Sequence, residues 1–250
     1  MHRNIFKLIV LALLFASCSN GQQNSSTTNS ETQTAVVENV DAKQMSELMA
    51  KHLEGIILDV RTPEEVANGH LANATTVNLY DDAFAGKVKM IRKDVPVFVY
   101  CAAGSRSAKA AEQMSSMGFT KIYNLTGGYN GWVKNGFPIV LDEAPKVSEA
   151  EKFTSQQIAV ILKKNKSVLL DFHTSWCIPC KKMNPVIDEL KKESSGKYFI
   201  QSIDADANKE LVAEYKIESV PTFIVLQNGK EIFRHSGIIE KEILKSKLTQ

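Results

Sequence analysis

The stretch SVLLDFHTSWCIPCKKMNPVIDELKKE, residues 167–193, decides the fold of the C-terminal half of the chain. Its apolar start, Ser167 to Phe172, predicts a buried strand, and its second part, Pro179 to Glu193, predicts a helix. Cys177 and Cys180 fall where the strand gives way to the helix. At a helix start we expect the first thiol of a Cys-x-x-Cys pair to be exposed and to face the helix dipole, which lowers its pKa. The stretch therefore predicts a redox-active pair.

The second cysteine of this pair, Cys180, is expected one turn inside the helix, where it resolves a mixed disulfide formed by Cys177. Zinc is the alternative role for two cysteines at this spacing. A zinc site needs about four ligands, and the nearby His173 would supply only a third. We therefore expect neither a metal nor a cofactor at this site.

Strand and helix patterns alternate along the rest of the chain. The C-terminal half continues with a predicted strand at Tyr198 to Ile203, a helix at Lys209 to Lys216, a hairpin of Thr222 to Leu226 and Glu231 to Arg234 around Asn228-Gly229, and a helix from about Glu240. The N-terminal half has predicted strands at Gly55 to Val60 and Val97 to Tyr100, a helix opened by Pro63 with Thr62 as N-cap, and a helix at Ser105 to Met117. Both halves are therefore expected to be α/β, with a mainly parallel sheet in the first.

Two polar segments divide the chain. Residues 18–35 are almost entirely polar and uncharged, which predicts a flexible tether. Residues 143–152 contain a proline and alternating charges, which predicts a linker. The predicted domains therefore span residues 36–142 and 153–250, after a signal peptide at residues 1–17.

The N-terminus has the pattern of a bacterial lipoprotein signal. Leu8 to Ala16 is an apolar run that is too short for a membrane-spanning helix, which needs about 20 residues. It ends in Phe15-Ala16-Ser17-Cys18, which resembles a lipobox and implies that Cys18 carries lipid. We expect a cell-envelope protein that faces the periplasm, with the outer membrane slightly favoured. The alternative is an ordinary signal peptide with a chance cysteine.

The charge balance argues against nucleic acid as a partner. The chain has 30 basic and 28 acidic residues, and two of the basic ones, Arg3 and Lys7, belong to the predicted signal peptide. The remaining chain is therefore near neutral, and no basic stripe indicates nucleic-acid binding.

A third cysteine, Cys101, stands alone between a predicted strand and a predicted helix. It is followed by Ala102-Ala103-Gly104-Ser105-Arg106. Small residues let backbone N–H groups turn toward the sulfur, the helix N-terminus adds partial positive charge, and Arg106 adds a full charge. These features favour a thiolate, which is a nucleophile. The alternative is a buried, inert cysteine.

Residues 40–140 resemble the rhodanese family. The matching motifs are LDVRTPEE at 58–65, GHLANA at 69–74, the loop CAAGSR at 101–106 and LTGGYNGW at 125–132. The resemblance implies that Cys101 carries sulfane sulfur as a persulfide. It also implies that Gly104, Ser105 and Arg106 bind the substrate, and that two further residues, Asp59 and Arg61, support the active-site loop.

The length and composition of this loop refine the expected chemistry. In the family a loop of six residues goes with sulfur transfer, whereas related phosphatases and arsenate reductases use one residue more. Ala102 stands where a second arginine is frequent in the family. The lower positive charge favours a neutral or protein-borne sulfane-sulfur donor over thiosulfate.

Residues 153–250 resemble thioredoxin. The matching residues are LDF at 170–172, WCIPC at 176–180, SVPTF at 219–223 and Gly237. The resemblance implies that Pro221 is cis and that Pro221 and Trp176 contact the bound substrate. It further implies that Asp171 is buried and assists proton transfer to Cys180. Ile178 replaces the usual glycine and His173 a common aromatic residue, so the direction of electron flow stays open.

Together these features predict an exported thiol–disulfide oxidoreductase whose first domain carries sulfane sulfur on Cys101. One alternative is a sulfurtransferase whose second domain only regenerates Cys101. The other is a non-enzymatic, lipid-tethered binding module. Expected partners are protein thiols or disulfides, a sulfane-sulfur donor and an external thiol reductase or oxidase. A further hypothesis couples the sites, with Cys177 and Cys180 reducing the Cys101 persulfide to sulfide.

Overall fold

The computed structural model describes residues 36–141 and 150–250. The predicted signal peptide, the tether, Cys18 and most of the predicted linker lie outside these residues. We call residues 36–141 the first domain and residues 150–250 the second domain. The two domains belong to one compact unit.

The first domain is built on a five-stranded parallel sheet. Its strands are β1 (Val36–Val40), β2 (Ile56–Asp59), β3 (Ala74–Thr76), β4 (Val97–Tyr100) and β5 (Lys121–Leu125). Its helices are α1 (Ala42–Lys51), α2 (Pro63–Ala67), α3 (Phe84–Lys89), α4 (Ser105–Ser116) and α5 (Gly128–Lys134). The strand order is β1-β5-β4-β2-β3, so β4 is central and leads directly into Cys101.

The side chains of β4 alternate between two apolar cores, one on each face of the sheet. Val97 and Val99 belong to the core that includes residues of α3 and α4. Phe98 and Tyr100 belong to the core that includes residues of α1 and α5. A strand covered on both faces is apolar throughout. Each fully buried side chain of this size contributes about 1.5–3 kcal/mol, so packing fixes where β4 ends and where the cysteine loop begins.

Local sequence signals set the helix starts around the cysteine loop. Thr62 caps α2, and its side chain and that of Glu65 form a reciprocal capping box, with Pro63 in the first turn. Gly104 precedes α4 with φ 98°, a left-handed conformation that favours glycine. The predicted N-cap at Thr62 is therefore confirmed.

The second domain has a four-stranded mixed sheet of order β7-β6-β8-β9. Its strands are β6 (Ser167–His173), β7 (Phe199–Asp204), β8 (Thr222–Gln227) and β9 (Lys230–Ser236). Its helices are α6 (Ser155–Lys164), α7 (Ile178–Glu193), α8 (Lys209–Glu214) and α9 (Lys241–Leu248). Strand β6 is parallel to β7 and antiparallel to β8, and β8 and β9 form the predicted hairpin.

The predicted fold class is confirmed: a parallel-sheet α/β domain precedes a second α/β domain with a mixed sheet. The predicted elements recur with ends shifted by a residue or two. Helix α8, predicted to reach Lys216, ends at Glu214. Lys216 has φ 51°, a left-handed conformation that does not continue a helix.

Within residues 36–141 and 150–250, none of the helices is both long enough and apolar enough to cross a bilayer.

Candidate active sites

Cys101 lies at the carboxyl end of β4, in a loop that wraps around its sulfur. The side chain is buried, with 1% of its surface exposed. Its Sγ accepts a hydrogen bond from the backbone N–H of Gly104 at 3.1 Å. The Ser107 hydroxyl lies 3.6 Å from the same sulfur and 3.0 Å from the Gly104 carbonyl oxygen. A hydroxyl has one proton, so Ser107 donates to only one of these acceptors at a time.

This surrounding controls the acidity of the thiol. Burial alone would raise the pKa of Cys101, since it disfavours the charged form. Hydrogen bonds from the Ser107 hydroxyl and from the backbone N–H groups of Ser107, Ala103 and Gly104 outweigh burial, so the pKa lies below its ordinary value. Ser107 was not predicted from the sequence. The only signal for this role was its position in the first turn of the helix, three residues after Gly104.

Helix α5 holds the loop from behind. The backbone N–H groups of Tyr129 and Asn130 donate to the carbonyl oxygens of Cys101 and Ala102, at 2.7 and 3.0 Å. Gly128 lies so close that a Cβ there would collide with the Cys101 carbonyl oxygen. Because the loop carbonyls point to α5, the loop N–H groups are free to face the sulfur. The glycine pair in the LTGGYNGW motif was the sequence signal for this contact.

Asp59 and Arg61 form a buried ion pair behind the same loop. Arg61 Nη2 lies 2.6 Å from Asp59 Oδ2 and 2.8 Å from the Gly69 carbonyl oxygen. The Arg61 guanidinium also stacks on the Tyr129 ring, 4.1 Å from its centroid. The pair therefore fixes Tyr129, whose N–H binds the loop, and does so without touching the sulfur. This geometry suits the supporting role that the sequence resemblance implies.

Arg106 does not act as an isolated positive charge. Its guanidinium binds both carboxylate oxygens of Glu65, at 2.7 and 2.5 Å. Hydrogen bonding to Arg106 lowers the pKa of Glu65 to about 2, so the pair is ionised at neutral pH. Glu65 was predicted only as part of the α2 start. Of the other two predicted substrate-binding residues, Gly104 supplies its N–H to the sulfur, and Ser105 is exposed at the start of α4.

In the second domain, Cys177 and Cys180 form a disulfide at the start of α7. Cys177 is the N-cap residue, and its Sγ accepts a hydrogen bond from the Cys180 N–H at 3.1 Å. The expectation that the first thiol is exposed is wrong. Cys177 has 2% of its surface exposed and Cys180 has 3%.

The pair is buried because the first domain contacts the loops around it. The Val220 N–H donates to the Met90 carbonyl oxygen at 2.9 Å. The Ile178 N–H lies 3.4 Å from the Thr75 hydroxyl oxygen. The Met90 side chain, just after α3, belongs to the same apolar cluster as both cysteines. This contact joins residues that are far apart along the chain, so no local sequence pattern indicates it.

Asp171 lies in the middle of β6 and is buried, as the resemblance implies. Burial raises the pKa of its carboxyl group, with weaker opposing effects from His173, Ser202 and Lys191. Side chains alternate along a strand, so Asp171 shares a face with Leu169. That face packs against Met183 and other residues of α7, the helix that carries Cys180.

The remaining predicted residues of this site lie close to the disulfide in the chain. Pro221 is cis, as the resemblance implies, and directly follows Val220. The Trp176 Nε1–H donates to Asp206 Oδ2 at 2.6 Å, and its ring packs against the apolar cores of both domains. Within residues 36–141 and 150–250, no group of three or more His, Cys, Asp or Glu side chains has an arrangement that could hold a metal ion.

A cavity of about 680 Å³ adjoins the disulfide at the contact between the domains. The second domain lines it with Ile178, Pro179, Val220 and Pro221, and the first domain contributes residues that include Leu71 and Phe98. The cavity is mostly apolar, and its lining includes Ile178 and Pro179, the residues between the two cysteines, but neither cysteine.

Two family models match the chain. The rhodanese-like domain model matches residues 41–135, and the thioredoxin model matches residues 146–250. The two matches follow each other along the chain, one in each domain of the structure.

Individual relatives match one domain each. A thioredoxin of Chlorobaculum thiosulfatiphilum is 34% identical over 36% of this chain and 83% of its own length. A sulfurtransferase of Allochromatium vinosum is 31% identical over 43% of this chain and 99% of its own length. A bifunctional thioredoxin reductase/thioredoxin of Mycobacterium leprae is 37% identical over 34% of this chain, which spans only 19% of that longer protein.

Proposed function

Since the chain belongs to the rhodanese-like family through its first domain and to the thioredoxin family through its second, we propose that it moves sulfane sulfur on Cys101 and electrons on the Cys177–Cys180 pair. It is an oxidoreductase and a sulfurtransferase whose partners are thiols or disulfides and sulfur donors. The individual cysteine roles and the export of the protein are our proposals.

The observation that carries the proposal for the first domain is the cradle around Cys101. Backbone N–H groups and the Ser107 hydroxyl point to a sulfur whose pKa they lower. The thiolate attacks the outer sulfur of a donor, the S–S bond of the donor breaks, and the leaving group departs with the electron pair. With thiosulfate the leaving group is sulfite, and Cys101 is left as a persulfide.

The nature of the donor follows from the charges at the loop mouth. Arg106 is already paired with Glu65, so the loop offers little net positive charge to an anion. This pairing supports a neutral or protein-borne donor over thiosulfate. The burial of Cys101 supports a donor that can reach the sulfur with a slender group, such as a persulfide side chain or a polysulfide.

The second domain is proposed to exchange electrons through its disulfide. The reduced Cys177 thiolate attacks a disulfide or persulfide sulfur, and Cys180 then attacks Cys177 and releases the reduced product. Asp171, buried beneath α7 with a raised pKa, is proposed to take the proton of Cys180 in that second step. An external reductase or oxidase then resets the pair.

We also propose that the two sites work in sequence. Cys177 takes the outer sulfur of the Cys101 persulfide, Cys180 attacks Cys177, hydrosulfide leaves, and the disulfide closes, so the dithiol supplies the two electrons that reduce the sulfur. In the structure Ile178 contacts β3, and β2 lies between β3 and the strand β4 that leads to Cys101. Two strand spacings amount to about 10 Å, so this transfer requires the domains to shift.

Export is a separate proposal, based on the lipobox-like sequence that ends at Cys18. It places the protein in the cell envelope, where an oxidising surrounding makes an external electron source necessary if the pair acts as a reductant.

The experiment compares two activities in variants that each have one cysteine replaced. Cys101→Ala should abolish sulfur transfer from a sulfane donor to cyanide and leave reduction of a small disulfide intact. Cys177→Ser should have the reverse effect. If each variant keeps the activity that it is expected to lose, the assigned cysteine roles are wrong. A single turnover of persulfidated, reduced protein then tests the coupling, because intramolecular transfer releases sulfide at a rate independent of protein concentration.

A further inference from the structure

The first domain contacts three separate segments of the second domain, at Ile178, Val220 and Gly237. Thr75 of β3 accepts from the N–H of Ile178, between the two cysteines. The Met90 carbonyl oxygen accepts from the N–H of Val220, which precedes the cis proline. Arg92 lies against Gly237, since a Cβ built on that glycine would be 2.5 Å from Arg92 Nη1. These segments are separated in the sequence, and all three line the cavity between the domains.

The contact at Met90 combines a backbone hydrogen bond with a buried apolar side chain. A backbone carbonyl of the first domain pairs with a backbone N–H beside the disulfide, and the adjacent side chain enters the apolar cluster that holds both cysteines. Met90 is the C-cap of α3, with φ −84° and ψ 0°, so the end of a helix makes this contact. Met90 has 8% of its surface exposed.

We propose that the first domain is a built-in cover for the redox pair, held over it by Thr75, Met90 and Arg92. In the covered state a folded protein disulfide cannot reach Cys177. The cover must move off before such a partner is attacked, whereas a small thiol or disulfide fits the cavity lined by Ile178 and Pro179, the residues between the two cysteines.

The contacts suit a cover that moves. Within the described residues, two hydrogen bonds join the domains, and one of them, from Ile178 to Thr75, is long at 3.4 Å. No ion pair joins the domains in that part of the chain, and Arg92 pairs instead with Asp94 of its own domain. Domain contacts of this kind resemble transient interfaces, for which relative motion is the default expectation.

The experiment measures access to Cys177 in the reduced, full-length protein. Two reagents of the same chemistry are compared: N-ethylmaleimide, and a maleimide on a long polyethylene glycol chain. Peptide mass spectrometry follows Cys177 separately from the other cysteines. We divide the rate at which the bulky reagent modifies Cys177 by the rate for the small reagent. This ratio reports steric access to Cys177 alone, because a change in the pKa of the thiol alters both rates equally. The readout needs no catalytic turnover, so it tests the cover even if the proposed activities fail.

The variant Met90→Lys places a charge in the apolar cluster and should open the cover. Losing one buried methionine contact shifts such an equilibrium by about tenfold or more, so we expect the rate ratio to rise by that factor. Arg92→Glu, on a partly exposed residue, should raise the ratio in the same direction and serves if Met90→Lys does not fold. Val133→Lys, an exposed apolar position on α5 of the same domain, is the control and should match the parent. Equal ratios in the parent and in the folded interface variants would overturn the proposal.

Discussion

Arg106 and Glu65 form a two-pronged ion pair at the mouth of the Cys101 loop, with N–O distances of 2.7 and 2.5 Å. The positive charge of Arg106, which was predicted to act on the Cys101 sulfur, is therefore already paired with a carboxylate. An anionic donor has to compete with Glu65 for that guanidinium.

Glu65→Gln is predicted to make thiosulfate a better donor. The substitution removes the competing charge but keeps a side chain that can cap α2. Partly exposed ion pairs contribute about 0.2–1 kcal/mol, so kcat/KM for thiosulfate should rise by a factor between about 1.4 and about 5. Glu64→Gln, on the exposed neighbouring residue, is the control. An unchanged or lower kcat/KM in Glu65→Gln would show that the ion pair does not limit anion binding.

Ser107→Ala is predicted to raise the pKa of the Cys101 thiol, because it removes the hydroxyl nearest the sulfur. The pH profile of kcat/KM for sulfur transfer reports this pKa in the free enzyme. Its acidic limb should move to higher pH, and the rate at pH 7 should fall by about tenfold, as expected for losing a hydrogen bond to a charged group. Ser116→Ala, at an exposed position near the end of the same helix, should leave the profile unchanged. A profile that stays in place in Ser107→Ala would assign the low pKa to the backbone alone.

Asp171→Asn is predicted to stabilise the protein at neutral pH while slowing turnover of the redox pair. Burial raises the pKa of Asp171 in the folded state above its unfolded value. Stability is therefore lost as pH rises from the unfolded pKa through the folded pKa, and stays lost above it. Asparagine mimics the protonated acid, so the gain should be about 1 kcal/mol or more at pH 7 and should vanish below about pH 4. Denaturant titrations at both pH values measure it, and equal gains at both would contradict the buried charge as the cause.

Arg61→Met is predicted to destabilise the first domain by about 3–5 kcal/mol, because it leaves the Asp59 carboxylate buried without its partner. Sulfur transfer should fall as well, since Tyr129 loses the guanidinium that stacks on it. Arg234→Met breaks a more exposed ion pair with Glu231 and should cost at most about 1 kcal/mol. Urea titrations compare the two variants. Similar losses of stability in both variants would mean that burial does not make the Asp59–Arg61 pair more important for stability than an exposed ion pair.

Cys18→Ser is predicted to release the protein from membranes, because the substitution removes the proposed site of lipid attachment. Fractionation of cells by ultracentrifugation, followed by immunoblotting, measures this. Cys101→Ser keeps the N-terminal sequence and should still sediment with membranes. Sedimentation of Cys18→Ser with membranes would mean that the anchor lies elsewhere.

The fold was predictable because it depends on local patterns. The apolar run at Val97 to Tyr100 marks a strand covered on both faces, and the box of Thr62 and Glu65 marks a helix start. The reactive cysteines were equally visible, because each lies at a predicted helix start, Cys101 among small residues and Cys177 and Cys180 in a Cys-x-x-Cys pair. These signals act over a few residues, so one chain suffices to read them.

The missed features depend on contacts between distant residues. Glu65 reaches Arg106 across 41 positions, and Met90 reaches Val220 between domains. The local sequence already accounts for two of these residues, since Glu65 caps α2 and Met90 follows α3. Nothing in the neighbouring sequence signals the distant contact, and for that reason the exposure of Cys177 was predicted wrongly.

Trp176 has a consequence for spectroscopy. It is one of two tryptophans in the chain, precedes Cys177 directly, and packs against both domain cores. The other, Trp132, is buried in the first domain and donates its Nε1–H to the Pro138 carbonyl oxygen. Disulfides quench indole emission at short range, and a shift from a protein to an aqueous surrounding moves that emission to longer wavelength. In a Trp132→Phe variant, Trp176 would be the remaining tryptophan. Its fluorescence intensity would report whether the cysteines are oxidised, and its emission wavelength would report whether the domains are apart, without any added label.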